Sequence, residues 1–356
     1  MFRLLLGLLV LTIGFGCTDP NPVEVDGPSN TFDRGAMLAN WIDNVSIPSH
    51  QATLDRVQNL QESMLAFRDA TDNQAEALAT LRSDFQTAYL TFQRLSPVIG
   101  AEGEAVRLRE EFNTYPADTE QIKANLQGDF NLQLPSSVDV QGFPALEYLL
   151  YATDEDGGDA LIASDPAAQD YAVTLLNRMT STVNNALIAL ENNRDAYVDN
   201  DGNSATASVD RTVNDFVFYY EKFLRAGKVG IPAGVFSDMP LADRVEGLYA
   251  GNSIQLFTEA LTATENFVLS QGLADYLDAL EVSRNGELLS QQLRNQFAAI
   301  RTAARGLNDN FGTQVEQDNR RMLQLYDEMQ RLTILLKVDM LQALNINVDY
   351  TDADGD

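Results

Sequence analysis

The sequence predicts an all-α protein made of two antiparallel helical bundles. Three observations carry that prediction. Apolar residues recur at spacings of three and four along almost every long segment after Thr31. No convincing run of alternating residues marks a strand. The chain has 356 residues, 45% of them hydrophobic, which is ample for buried cores and suggests two domains by length.

The elements follow in order. Residues 1–16 read as a signal peptide: Arg3 precedes the apolar run 4–13, and small residues follow at Gly14 and Gly16. The run is too short to span a bilayer, which needs about 20 residues. The one cysteine of the chain, Cys17, stands at its end and reads as the lipid-bearing residue of a bacterial lipoprotein. Ordinary cleavage beside an incidental cysteine is the alternative. Residues 17–30, with three prolines and several acids, form a flexible tether. A first bundle is expected over 31–200. Its stripes are Leu54, Val57, Leu60, Leu65 and Phe67, then Leu78, Leu81, Phe85, Tyr89 and Phe92, then Tyr171, Leu175, Met179, Val183 and Leu187. Asp165-Pro166 caps the helix bearing the last stripe. A second bundle is expected over 201–350, with the boundary near 195–205. Val213, Phe216, Val217, Tyr220 and Leu224 line one of its helices, and Met322, Leu325, Met329, Leu332 and Leu336 another. The segment 227–234 reads as a structured loop, Gly272 and Gly286 as turns, and 351–356 as an acidic tail.

Composition removes several functions. A formal net charge of −28 repels phosphate backbones, so no nucleic-acid partner is expected. It also disfavours docking to anionic lipid, leaving the N-terminal anchor as the membrane contact. One cysteine and one histidine allow no intramolecular disulfide, no Cys/His zinc site and no His-x-x-x-His pair. His50 follows Ile47-Pro48-Ser49 and is expected exposed near a helix start.

The most informative stretch is 142–151, where Glu147 is the one charge on an apolar, aromatic helix. A buried charge there needs a partner, a ligand or water. Pro144 suits the first helical turn, Gly142 allows a sharp turn before it, and Tyr151 lies four residues from Glu147. A structural reading stands beside the functional one: Glu147 caps backbone N–H groups or pairs with an arginine. The segment 146–152 also echoes 245–250; an internal duplication would place Glu147 and Glu246 on related helices, and chance similarity between two apolar helices explains the echo as well. Asp199, Asp201, Asn203 and Asp210 partly fit a calcium loop, but Ser204 stands where glycine is needed, and acidic turns explain them as well.

The stretch resembles the signature helix of imelysin-like proteins, a mostly bacterial family linked to iron uptake. The family pattern is Gly-x-His-x-x-Glu; here Gly142 and Glu147 match, and Pro144 replaces the histidine. The segments 96–100, 112–118, 227–232, 245–249 and 336–340 are similar to further family landmarks. The chain's end resembles that of anchored members from the Bacteroidetes group. The resemblance implies two helical bundles with a site in the cleft near the signature helix. It implies an exported, lipid-anchored envelope protein that binds a metal ion, or a metal-bearing chelate, in iron uptake. Iron or another divalent cation is the implied cargo, with haem an alternative. Glu147, Tyr151, Tyr115, Asp118 and Glu246 are the candidate ligands. An adaptor serving an outer-membrane transporter is the rival function. The family's metallopeptidase label is not supported, because its motif histidine is Pro144 here.

Overall fold

The computed structural model describes residues 32–153 and 158–348. The expected signal peptide, Cys17 anchor, tether and acidic tail lie outside the described residues, as does most of the acidic turn at 154–159. Within them the fold is all-α, as the periodicity predicts.

Helix α1 (Arg34–Asn40) is capped by the Asp33 carboxylate, which accepts from the Ala36 N–H at 2.8 Å. A π-helical turn, Trp41–Ser46, joins it to α2 (Ile47–Asp69), and α3 (Gln74–Leu95) returns along α2. Short helices follow: α4 (Gly100–Ala105), α5 (Leu108–Asn113) and α6 (Thr119–Asn125). Next come α7 (Gly142–Tyr151), α8 (Leu161–Ser164) and the long α9 (Pro166–Asp199). Helix α9 starts where the sequence places it: Asp165 accepts from the Ala167 N–H at 2.8 Å, and Pro166 needs no N–H partner in the first turn. Helix α10 (Ser208–Tyr219) runs directly into a π-helical stretch, Tyr220–Gly230. The rest is α11 (Ser253–Ser270), α12 (Leu273–Ala279), α13 (Leu289–Ala304), α14 (Phe311–Thr333), a π-helical stretch Ile334–Met340, and α15 (Leu341–Ala343). Helix α14 bends at Asp318, whose backbone leaves the helical region. Among the described residues no helix is long and apolar enough to cross a membrane.

Four local expectations change. The segment 227–234 is not a loop throughout, because the π-helical stretch carries on to Gly230. Two short strands exist: β1 (Ser283–Arg284) pairs antiparallel with β2 (Glu287–Leu288). Asn285 and Gly286 join them with φ of 56° and 83°, the left-handed pair that an Asn-Gly hairpin turn requires. In α2 the buried stripe passes through Met64 rather than Leu65. His50 is buried, not exposed: its Nδ1 lies 2.9 Å from the Ser46 carbonyl oxygen, and burial pulls its pKa down to about 4.

The stripes close two apolar cores. One gathers α2, α3, α5, α7 and α9 around Phe85, Tyr89, Phe92, Phe112 and Phe143. Phe143 stacks on Tyr89 with ring centres 4.6 Å apart. The other gathers the later helices around Phe216, Tyr220, Phe257, Phe297 and Leu325. The chain does not divide cleanly between them. Met37, Leu38 and Trp41 pack into the later core, and Leu256 packs into the earlier one.

Candidate functional site: a polar seam between two cores

Helix α7 is buried from Gly142 to Leu150. Gly142 makes its approach feasible: φ is +73°, and an added Cβ would clash with the Phe112 carbonyl and sit 2.5 Å from the Glu111 carbonyl oxygen. Glu147 is 3% exposed. Its Oε1 accepts the N–H of Tyr249 at 3.0 Å and of Ala250 at 2.8 Å. Beside it Tyr148 meets Tyr249 edge-on, 5.4 Å between ring centres. Burial pushes the Glu147 pKa up to about 7; the two N–H groups oppose that, and the Glu246 charge adds to it. The echo segments 146–152 and 245–250 therefore touch. The second is a turn rather than a helix, so the expectation of two matching Glu-bearing helices is not met.

Glu246 is held differently. It is 3% exposed and forms an ion pair with Lys228, itself 4% exposed. Lys228 Nζ also donates to Gln93 Oε1 at 2.8 Å. Glu246 Oε1 accepts from Gln93 Nε2 at 2.9 Å and Asn113 Nδ2 at 2.6 Å, and Tyr89 donates to Asn113 Oδ1 at 2.5 Å. Burial lowers the Lys228 pKa, and the Glu246 charge works against that. Tyr115 closes the seam: its hydroxyl lies 3.0 Å from where a Cβ on Gly227 would stand. Burial raises its pKa well above the usual tyrosine range, with the Glu246 charge contributing. Glu246 and Lys228 come from the later half of the chain, and Gln93, Asn113, Tyr89 and Tyr115 from the earlier half.

A second ionic link lies nearby. Arg109 is 1% exposed, donates to both Asp215 oxygens at 2.6 and 2.9 Å, pairs with Glu104, and donates through Nε to the Ser96 carbonyl at 2.7 Å. It ties α5 to α10. Next to it is a cavity of about 660 Å³, walled by residues of α4, α9, α10 and the Trp41–Ser46 turn.

Of the sequence candidates, Glu147, Glu246 and Tyr115 share the seam. Tyr151 turns towards α3, where it donates to the Arg82 carbonyl at 3.2 Å and lies under the Arg82 guanidinium at 5.0 Å. Asp118 is exposed and caps α6, accepting the Gln121 N–H at 2.9 Å. Pro144 is buried in the first turn of α7. The loop read as partly calcium-like is closed by Arg34, which bonds Asn203 Oδ1 and the Gly202 carbonyl. Sequence reasoning did not single out Lys228, Gln93, Asn113 or Arg109. The one available signal was a lysine set inside the apolar, glycine-bearing segment 226–231.

The family model described as Imelysin (peptidase family M75) matches residues 46–336. The chain belongs to the imelysin family. Its fold is similar to that of an imelysin-like protein from Psychrobacter arcticum, with a TM-score of 0.71 and 17% identity over 89% of this chain and 97% of that one. It is also similar to a putative iron-regulated protein A precursor from Parabacteroides distasonis, with a TM-score of 0.68 and 14% identity over 86% and 94%. No curated protein matches the chain.

Imelysin-family membership raises the question of a metal at the signature helix, and the donor set does not fit one. Glu246 already has an ammonium on one oxygen and two amide donors on the other. Glu147 spends Oε1 on two backbone N–H groups. Pro144 supplies no donor atom. Among the described residues no three His, Cys, Asp or Glu side chains gather closely enough to hold an ion. A bare cation would have to displace Lys228.

Proposed function

We propose that this imelysin-family chain is an exported, lipid-anchored envelope protein of iron acquisition that carries a metal-bearing ligand rather than a bare ion. Family membership and the iron-regulated precursor among its structural neighbours support the iron link. The observation that carries the choice of ligand is the ammonium of Lys228 bound on Glu246, where an ion would need an open carboxylate. The cavity of about 660 Å³ beside Arg109 lies within the range of roughly 300–1,000 Å³ usual for small-molecule sites. The reading is of a binding protein, not a peptidase: Pro144 replaces the motif histidine, and His50 is buried on the Ser46 carbonyl.

An adaptor serving an outer-membrane transporter is the second reading. It is favoured by the apolar surface of Ile231, Val235, Phe236 and Met239, the last 64% exposed. One experiment separates the readings: anaerobic dialysis against ferrous iron beside titration with ferric chelates and haem. Saturable binding of a chelate or haem, without saturable binding of the free ion, supports the carrier. Saturable ferrous binding lost in Glu147→Ala overturns it in favour of a carboxylate metal site. Binding of none of them overturns it in favour of the adaptor.

A further inference from the structure

The seam brings an amine, an amide and a carboxyl group into a closed ring of hydrogen bonds. Lys228 Nζ donates to Gln93 Oε1 at 2.8 Å and pairs with Glu246 Oε2. Gln93 Nε2 donates to Glu246 Oε1 at 2.9 Å. One carboxyl group therefore touches both nitrogens, that of the lysine amine and that of the glutamine amide. Gln93 is 1% exposed, and neither Glu246 nor Lys228 exceeds 4%.

That arrangement suits transfer of the glutamine acyl group to the lysine. A carbonyl bond of about 1.23 Å puts Nζ no more than about 4 Å from Gln93 Cδ. Reacting atoms in a near-attack pose lie about 3–3.5 Å apart, so a small rotation of the amide closes the gap. A carboxyl group that takes a proton from the nucleophile can hand one to the leaving group. Its place is fixed from the other side: Asn113 Nδ2 donates to Glu246 Oε1 at 2.6 Å, and Tyr89 donates to Asn113 Oδ1. Burial keeps out the water that would compete for Cδ. It also favours the uncharged amine, lowering the Lys228 pKa. Asn113 is the other amide nearby, but its oxygen is turned to the Tyr89 hydroxyl.

We propose that Lys228 and Gln93 join in an intramolecular isopeptide bond, with Glu246 shuttling protons, which ties α3 covalently to the π-helical stretch Tyr220–Gly230. The step balances without a further reactant. Lys228 gives a proton to Glu246, and the neutral Nζ attacks Gln93 Cδ. Glu246 passes its proton to Nε2 and takes a second one from Nζ. The Nζ–Cδ bond forms, the Cδ–Nε2 bond breaks, and ammonia leaves. Glu246 ends protonated, so the linked seam offers a metal ion no open carboxylate either. The ion pair is the resting state and must first surrender its charges. The bond therefore accumulates as the folded protein ages, not as it folds. None of this depends on the ligand proposed above.

The test is to incubate the full chain for weeks, folded and in urea, and to read tryptic digests by mass spectrometry. Peptides 83–94 and 226–244 are expected joined, lighter than their sum by one ammonia, in the folded sample alone. The joined fraction should grow with time, and cleavage after Lys228 should be blocked in it. Glu246→Gln protein that still melts cooperatively should keep the two peptides separate, although Lys228 and Gln93 remain. A link at the parent's rate in that variant would overturn the role of Glu246. Separate peptides in the aged, folded parent would overturn the bond itself, whatever the variant does. So would a link that forms equally in urea, a link from Lys228 to peptide 110–123, which carries Asn113, or ammonia loss confined to peptide 83–94.

Discussion

Glu147→Gln is expected to make the protein more stable in alkali and no different in acid. Glu147 titrates at about 7 in the fold against an ordinary 4.5, because it is buried. The native state thus holds this proton more tightly than the unfolded chain. Stability from this group is greatest below pH 4.5 and is lost as pH rises through 7. The difference of about 2.5 units corresponds to roughly 3 kcal/mol, most of it falling between pH 5 and pH 8. Glutamine keeps an oxygen for the Tyr249 and Ala250 N–H groups but cannot ionise. Urea unfolding at both pH values, followed by circular dichroism, reads the effect as a midpoint shift at constant slope. The variant should gain about 2–3 kcal/mol on the parent between pH 5 and pH 8. His50 opposes it in the same window. Its pKa is about 4 against 6.5, so its stabilising share is present above 6.5 and is lost as pH falls through 4. Glu147→Gln should therefore expose the acid sensitivity that His50 imposes, and His50→Gln the alkaline sensitivity of Glu147. A stability difference between Glu147→Gln and parent that does not vary with pH would refute the argument.

Two more outcomes follow from the seam. Lys228→Met leaves Glu246 buried without its cation and should cost about 3–5 kcal/mol in urea unfolding, whereas Lys228→Met with Glu246→Gln should recover most of that loss. An unrecovered double variant would mean that packing, not charge, dominates there. Gly142→Ala puts a Cβ against the Glu111 and Phe112 carbonyls at positive φ and should cost more than about 2 kcal/mol, read as a lowered melting temperature. A neutral result would show that α5 can give way.

The helices were legible because their signal is local. The stripe from Tyr171 to Leu187 and that from Met322 to Leu336 are buried as the 3.6-residue period demands, and Asp165-Pro166 marks its helix by cap chemistry alone. Glu147 stood out for the same reason, as one charge on an apolar helix. Its partners did not, because they are backbone N–H groups about a hundred residues away. Lys228 meets Gln93 across 135 residues, from a stretch whose π-helical winding a 3.6-residue template does not anticipate. The burial of His50 is likewise tertiary: its helix start was readable, its neighbours were not.

The exchange of residues between the cores has a consequence for the order of events during synthesis. Met37, Leu38 and Trp41 emerge early, yet their seat includes Phe267, Leu273 and Tyr276, which emerge more than two hundred residues later. The leading helix must wait, apolar side chains unsheltered, until most of the chain has been made. Such long-range closure slows folding and leaves an interval open to aggregation. A fragment ending after α9 would leave Met37, Leu38 and Trp41 without that seat.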